Sequence, residues 1–251
     1  MPSLTPRWRQ ITKCRGNGII SKTGSTADAV HSIRISEKST MGKVEEVRPY
    51  NRHGEKEEQV EEMFDTIAPA YDFMNNAMSF GLHRYWRNTA LKKALSLLPA
   101  KAGLNILDVA TGTGDLVFHV HSELEDAKIT GIDLSSGMLR IARQKLEKLP
   151  ANEREKIAFG KADCLALPYH DGEFDMVTVA YGVRNFSNLL DGLKEMRRVL
   201  KSGGVVCVIE LSCPENTLTK RAYKLYSGKI IPALGKIISG DNRATPIFLR
   251  A

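Results

Sequence analysis

The chain has no CxxC pair among its four cysteines, Cys14, Cys164, Cys207 and Cys213, and its six histidines show no zinc spacing. No bound metal is expected, and this cysteine usage suits a reducing compartment. No apolar run reaches the roughly 18 residues that a membrane-spanning helix needs, so a soluble chain is expected. There is no Asn-Pro-Pro-Tyr motif of the base-flipping type. The net charge of +7 would by itself suggest nucleic acid, but residues 1–40 hold seven Lys/Arg against two acids, which leaves only +2 for the other 211 residues. The basicity belongs to a leader, and no nucleic-acid partner is expected.

The chain's 251 residues, 42% of them hydrophobic, suffice for one α/β domain with extensions. Its most informative stretch is Leu107-Asp-Val-Ala-Thr-Gly-Thr-Gly-Asp115. The apolar run Ile106–Ala110 reads as a buried strand, and Gly112 and Gly114 open a helical pattern from Asp115 to Leu124. Glycines allow a tight reversal and close approach to a ligand, and the helix start offers unpaired N–H groups. A dinucleotide fingerprint would want a third glycine where Val117 stands, and Asp108 and Asp115 would repel a pyrophosphate. Those acids, with Asp133 ending the next apolar run, suit S-adenosylmethionine, whose ammonium and sulfonium are cationic and whose ribose needs a carboxylate. The competing reading is an ordinary nucleotide-binding or structural turn.

Further strands are predicted at Lys128–Asp133, Ile157–Lys161, Phe174–Ala180 and Val205–Leu211, with helices at Ser136–Lys148 and Leu189–Leu200. This alternation predicts a mostly parallel sheet with helices on both faces and a ligand at the carboxyl ends of the strands. Ser135 and Ser136 read as helix N-caps. His119 and His121, two apart on a helix, read as surface residues.

Residues 1–50 lack apolar periodicity and read as a disordered basic leader. They form either a transit peptide, which would send the chain to a mitochondrial matrix, or an extension upstream of a true start at Met41. Gly16, Gly18 and Gly24 favour the second. Residues 51–98 read as a helical cap: a first helix from Glu57 places Val60, Met63, Phe64 and Ile67 on one face and stops at Pro69, and a second runs from Arg84 to Leu98. Between them lies a segment dense in aromatics, amides and methionine.

That segment resembles the first signature of the ubiquinone/menaquinone biosynthesis C-methyltransferases. Tyr71, Asp72, Met74, Asn75, Ser79, Gly81, His83, Arg84 and Trp86 match it. A second signature resembles Arg198-Val-Leu-Lys-Ser-Gly-Gly204 followed by Glu210-Leu-Ser212, with Ser202 replacing the usual proline. The resemblance spans about residues 59–242. It implies a class I S-adenosylmethionine-dependent methyltransferase with a cofactor-binding α/β core at residues 99–214, acting on a prenylated quinol. Demethylmenaquinol is the favoured substrate, since a start at Met41 looks bacterial. The alternatives are the 2-polyprenyl-6-methoxy-1,4-benzoquinol of ubiquinone biosynthesis and an inactive, truncated cofactor-binding relative.

The resemblance also implies the site. Thr113 would meet the cofactor with Gly112 and Gly114, Asp133 its ribose, and Asp163 with Cys164 its adenine, near Ala180; Asp108 would orient the loop's amides from beneath. Asp163 has a competing reading as the cap of a turn at Leu165. Arg184 matches an active-site arginine and would stabilise the quinolate or position a water that takes the proton, since an arginine is always charged. Asn185, Tyr71 and His83 are further catalytic candidates, although His83 and Arg84 could simply anchor the cap. Glu210 reads as a strand-end hydrogen-bonding partner.

Leu218–Ser239 is a basic amphipathic stretch that could lie on an anionic membrane or pack on the sheet. The expected location is cytoplasmic, peripheral on the inner face of a membrane, with a homodimer or a quinone-synthesis complex as possible assemblies. Residues 215–251 depart from the family, whose members continue past Asp241 with two more strands. A family-like continuation Ala-Tyr-Thr-Tyr-Leu-Pro-Glu-Ser, read with one nucleotide deleted in its second codon, becomes the observed Ala-Thr-Pro-Ile-Phe-Leu-Arg-Ala. A frameshifted tail implies missing final strands and an unpaired sheet edge.

Overall fold

The computed structural model describes residues 8–14, 18–23, 55–79, 82–99 and 102–210. A hairpin of β1 (Trp8–Cys14) and β2 (Gly18–Thr23) comes first, then the cap helices α1 (Lys56–Ser79) and α2 (Leu82–Leu97). The core follows as β3 (Asn105–Val109), α3 (Asp115–Glu123), β4 (Lys128–Asp133), α4 (Ser136–Leu146), the short α5 (Ala151–Arg154), β5 (Ile157–Lys161), β6 (Phe174–Ala180), α6 (Leu189–Arg198) and β7 (Leu200–Ile209).

The sheet runs β1-β2-β7-β6-β3-β4-β5, and its five core strands are all parallel. The chain starts at β3 in the middle, builds outward through β4 and β5, then crosses to β6 and β7 on the other side. The carboxyl ends of β3 and β6 therefore flank the point where strand order reverses, the place where such sheets open a crevice for ligands.

Alternation along the strands divides the core in two. Ile106, Ile129, Met176, Val205, Cys207 and Ile209 pack on one face with Leu91 and Ala94 of α2 and Val117 and Val120 of α3. Leu107, Val109, Ile132, Val177, Val179 and Val206 pack on the other with Met196 of α6. With both faces covered, the strands read as near-continuous apolar runs.

Three expectations are corrected. First, α1 does not stop at Pro69 but continues to Ser79. A proline inside a helix costs about 3 kcal/mol, and tertiary anchors on both sides offset it. Before Pro69, Ile67 and Ala68 pack on Met138 of α4, and Asp65 accepts bonds from Ser135 Oγ and from the Gly137 amide (2.7 Å); beyond it, Asp72 docks on the glycine turn. Second, the leader is not wholly disordered, because residues 8–14 and 18–23 form the hairpin. Third, β7 is not an open edge: β2 pairs with it antiparallel, from Gly18 opposite Ile209 to Lys22 opposite Val205. Val205–Ile209 would otherwise present a row of unpaired backbone groups, and a strand of any composition can satisfy them. The other reported expectations for the leader and tail, Met41 and Leu218–Ser239 among them, lie outside the described residues.

Candidate active site

The glycine turn is built by backbone geometry that its sequence permits. Gly112 and Gly114 hold φ of 57° and 79°. A Cβ on Gly114 would stand 2.9 Å from Phe159 Cζ and 3.0 Å from Phe118 Cε2. Ala110, the residue after β3, has φ 53°, and Tyr181, the residue after β6, has φ 59°. Both are non-glycine residues in the left-handed region, where strain of about 1–3 kcal/mol each is held by the surrounding fold. Gly182, next to Tyr181, lies against Ala110: a Cβ on it would be 2.6 Å from the Ala110 Cβ.

A pocket of about 700 Å³, counting its mouth, opens beside this kink. Of the residues singled out from sequence, it brings together Tyr71, Gly112, Asp133, Asp163, Cys164, Ala180 and Asn185. Glu57, Val60 and Phe64 of α1 close one side, and Ile132, Leu134, Met138 and Phe186 supply apolar walls.

Asp133, at the end of β4, accepts from the Gly112 amide (2.8 Å) and the Ser135 amide (2.9 Å). Burial raises its pKa to about 6 despite those bonds. Ser135 N-caps α4 through the Met138 amide, as its sequence context predicts. Asp163 lines the pocket and also caps its own turn by accepting from the Leu165 amide (2.9 Å), as its competing reading predicts. The thiol of Cys164 is pushed up by burial and by the neighbouring Asp163, and is therefore a neutral wall rather than a nucleophile.

Asp108 lies beneath the turn, buried at 2% exposure, and is not a pocket wall. It acts through hydroxyls rather than loop amides, accepting from Thr111 Oγ1 and Thr178 Oγ1, each at 2.6 Å. It thereby ties the turn to β6. Burial raises its pKa to about 6. The loop amide expected of Asp108 goes instead to Asp133.

Thr113 faces the cap side of the turn and Gly114 packs against Phe118 and Phe159, and neither lines the pocket. Thr113 Oγ1 donates to Asp72 Oδ1 (2.6 Å), and Lys145 Nζ bridges Asp72 (2.6 Å) and Asp115 (2.8 Å). Arg87 reaches Asp115 at 3.5 Å. Burial would raise the Asp115 carboxyl, but the Lys145 hydrogen bond and the two cations outweigh it and hold it below the usual range. His83 is buried on α2 beside this cluster, and burial together with Arg87 and Arg84 lowers its pKa. A neutral imidazole on the cap favours the anchoring reading.

Arg184 lies in a 3-10 turn, Val183–Asn185, that follows β6. Its Nη1 stands 3.6 Å from Glu210 Oε1, which makes Glu210 the strand-end partner expected. Lys56, buried at the start of α1, donates to the carbonyls of Phe186 (3.1 Å) and Arg184 (3.4 Å) and pins that turn to the cap. Tyr71 is half-buried, and desolvation of its hydroxyl raises the phenol pKa against the pull of Asn75 and Arg184. Lys56 and Tyr181 are site residues that sequence reasoning passed over.

Elsewhere, His121 is not a surface residue. It is buried, and its Nε2 lies 3.2 Å from Glu153 of α5, because that short helix covers this face of α3. In the second signature, Arg198 makes paired bonds to Glu195 and donates to the carbonyls of Tyr169 and Leu167, which fastens the loop after β5 to α6. Its role is structural. Gly204 stands where a Cβ would meet the Asp175 carbonyl oxygen at 2.9 Å.

A parallel sheet whose central βα turn is a glycine loop, with an acid ending the next strand and a second acid beyond the third, is the architecture of a class I S-adenosylmethionine-dependent methyltransferase. The family model described as the ubiE/COQ5 methyltransferase family matches residues 52–245, and the chain belongs to that family. Among curated relatives, the chain is 44% identical over 200 residues to a protein of Bacteroides fragilis named demethylmenaquinone methyltransferase, covering 80% of this chain and 79% of that one. It is 42% identical to a demethylmenaquinone methyltransferase of Porphyromonas gingivalis, covering 81% of each. It is also 42% identical to a Geotalea uraniireducens protein named ubiquinone/menaquinone biosynthesis C-methyltransferase UbiE, over 74% of this chain and 77% of that one. Solved structures share the fold. The [4+2]-cyclase SpnF has a TM-score of 0.52 at 23% identity over 64% of this chain and 63% of its own. An S-adenosylmethionine-dependent methyltransferase of Methanococcus maripaludis has 0.52 at 20% identity over 70% and 77%.

Proposed function

We propose that the chain transfers a methyl group to the unsubstituted ring carbon of demethylmenaquinol. The carrying observation is the pocket at the carboxyl ends of the strands, lined by Asp133, Asp163 and Asn185, with Arg184 beside Asn185 on the turn after β6 that Lys56 pins to the cap. The names of the demethylmenaquinone methyltransferases reported above favour the naphthoquinol over the benzoquinol.

S-adenosylmethionine supplies an electrophilic methyl group when bound. Gly112 and Thr113 would hold its amino-acid end at the turn, Asp133 would accept from the ribose hydroxyls, and Asp163 with Cys164 would flank the adenine. The acceptor ring becomes nucleophilic as its hydroxyl loses a proton. Arg184, permanently charged, stabilises the resulting oxyanion or holds the water that takes the proton. Tyr71, deprotonated only with difficulty, acts as a donor or a wall, not as a base. Positioning supplies most of the acceleration.

The substrate's prenyl tail calls for peripheral contact with a bilayer. Phe73 and Tyr85 stand exposed on the cap helices, aromatic groups suited to a membrane interface, and the basic stretch 218–239 would add attraction to anionic lipid. No helix among the described residues is long and apolar enough to cross a membrane.

The test is complementation. Expressed in bacteria lacking demethylmenaquinone methylation, the chain should convert the accumulated demethylmenaquinone to menaquinone, as read by mass spectrometry of extracted quinones. Unchanged demethylmenaquinone, with the chain present as soluble protein, would refute the proposal.

A further inference from the structure

The residue after Ala180 carries three features that the account above leaves unused. Tyr181 lines the pocket. Its backbone is held at φ 59°, where a bulky residue is strained. Its hydroxyl is buried and has no hydrogen-bond partner among the described residues. A buried donor left unmade costs about 1–3 kcal/mol, and the strain adds to that. A fold that maintains both at a pocket wall is holding the group for something absent from the free protein.

The surroundings say which part of the pocket this is. The charged and titratable groups acting most strongly on Tyr181 are Arg87 of α2, Glu210 at the end of β7, Arg184 on the turn and Tyr71 of α1. Asp133 and Asp163 line the same pocket from the end of β4 and the loop after β5. Tyr181 is fixed there: its amide donates to the Ile209 carbonyl (2.7 Å), and its ring packs against the apolar face shared with α2. Burial pushes its phenol up to about 12, so at neutral pH it keeps its proton and can donate it in a hydrogen bond.

We propose that the Tyr181 hydroxyl donates a hydrogen bond to an oxygen of the quinol ring, alongside Arg184, and that its missing partner is the methyl acceptor. This rests on the quinol reading above. The quinol oxygen gives its proton to water, and the ring carbon bonds to the methyl carbon as the methyl–sulfur bond breaks and leaves its electron pair on sulfur. The same carbon then releases its hydrogen as a proton. Tyr181 keeps its own proton throughout and is worth most when the oxygen is charged, because a hydrogen bond to an ionised acceptor is roughly twice as strong as a neutral one.

The experiment compares the full chain with Tyr181→Phe, which removes only the hydroxyl. Because that hydroxyl has no partner among the described residues, the variant's melting temperature should equal or exceed the parent's; a clear drop would mean a structural bond and overturn the proposal. S-adenosylmethionine affinity by calorimetry should stay within about twofold, and a larger loss would place the hydroxyl on the cofactor instead. Anaerobic binding of a 2-prenyl-1,4-naphthoquinol, with S-adenosylhomocysteine present, should weaken about tenfold, and kcat should fall about 10- to 100-fold. Quinol affinity and kcat within twofold of the parent would overturn the proposal and leave the functional reading intact. A parent chain that neither binds nor methylates the quinol would overturn that reading, and the Tyr181 assignment with it.

Discussion

Thr113 donates its hydroxyl to Asp72 at 2.6 Å, so the glycine turn is latched to a helical residue 41 positions earlier in the chain. The bond joins the first family signature to the cofactor loop. Lys145, 2.6 Å from the other oxygen of Asp72, draws α4 into the same latch.

Asp72→Ala should therefore loosen the cap as well as the loop. The Lys145 and Asp72 side chains are 27% and 34% exposed, so solvent screening limits the loss to about 1 kcal/mol, or roughly 2–4 °C in melting temperature for a domain of this size. S-adenosylmethionine affinity should fall several-fold, since the turn must then be ordered on binding. Calorimetric titration with parallel thermal melts checks this; an unchanged affinity would mean that the latch does not shape the site.

The two glycines of the turn should fail differently. Gly114→Ala adds a Cβ that collides with Phe159 and Phe118 at a left-handed position, and should cost more than about 2 kcal/mol of stability. Gly112→Ala meets only Tyr71 Cε1 at 3.9 Å. It should lose about 1 kcal/mol to backbone strain, with its larger effect on cofactor affinity. Denaturant unfolding and S-adenosylmethionine titration separate the two.

Asp133 carries a folded-state pKa of about 6, above the roughly 3.9 of an unfolded aspartate. A raised pKa means that the folded state binds the proton more tightly, so the group favours folding below about pH 4 and loses that contribution as pH rises through about 6. The stability of the parent relative to Asp133→Asn should accordingly increase as pH drops from 7 to 4. Cofactor binding has the opposite sign, because ribose hydroxyls need the ionised acceptor. S-adenosylmethionine affinity should be flat above about pH 7 and weaken below about 6, with the dependence blunted in Asp133→Asn. Parallel pH profiles for the two chains would contradict this.

The hairpin covering β7 should matter to stability. Chain beginning at Met41 lacks β1 and β2 and leaves the β7 backbone from Val205 to Ile209 without its antiparallel partner. It should melt lower, aggregate more readily and exchange amides faster in that strand. Equal protection of Val205–Ile209 in both chains would show that the hairpin contributes nothing there.

The core was legible because its signals are local. Strands at Lys128–Asp133, Ile157–Lys161 and Phe174–Ala180 match their expected bounds, being short apolar runs between turn residues. Asp133, Asp163 and Ala180 could be placed because carboxyl ends of strands are where such a sheet binds ligands. What sequence missed depends on tertiary contact. Pro69 reads as a stop unless Asp65 and Asp72 are known to be anchored on either side. His121 reads as surface until α5 brings Glu153 to it. The leader hairpin has no apolar alternation to announce it and gains its order from the bonds β7 offers. Tyr181 sits in plain view between Ala180 and Gly182, but the strain and the stranded hydroxyl that mark it exist only in the fold.

The most direct measurement gives the purified chain S-adenosylmethionine with an isotope-labelled methyl group and an equimolar mixture of demethylmenaquinol and the demethylated ubiquinone-pathway benzoquinol, and locates the label by mass spectrometry. The account predicts label on the ring carbon of the naphthoquinol, little on the benzoquinol, and a loss of about 100-fold in Arg184→Gln with cofactor affinity preserved. Label on neither quinol, from a chain that binds S-adenosylmethionine, would contradict it.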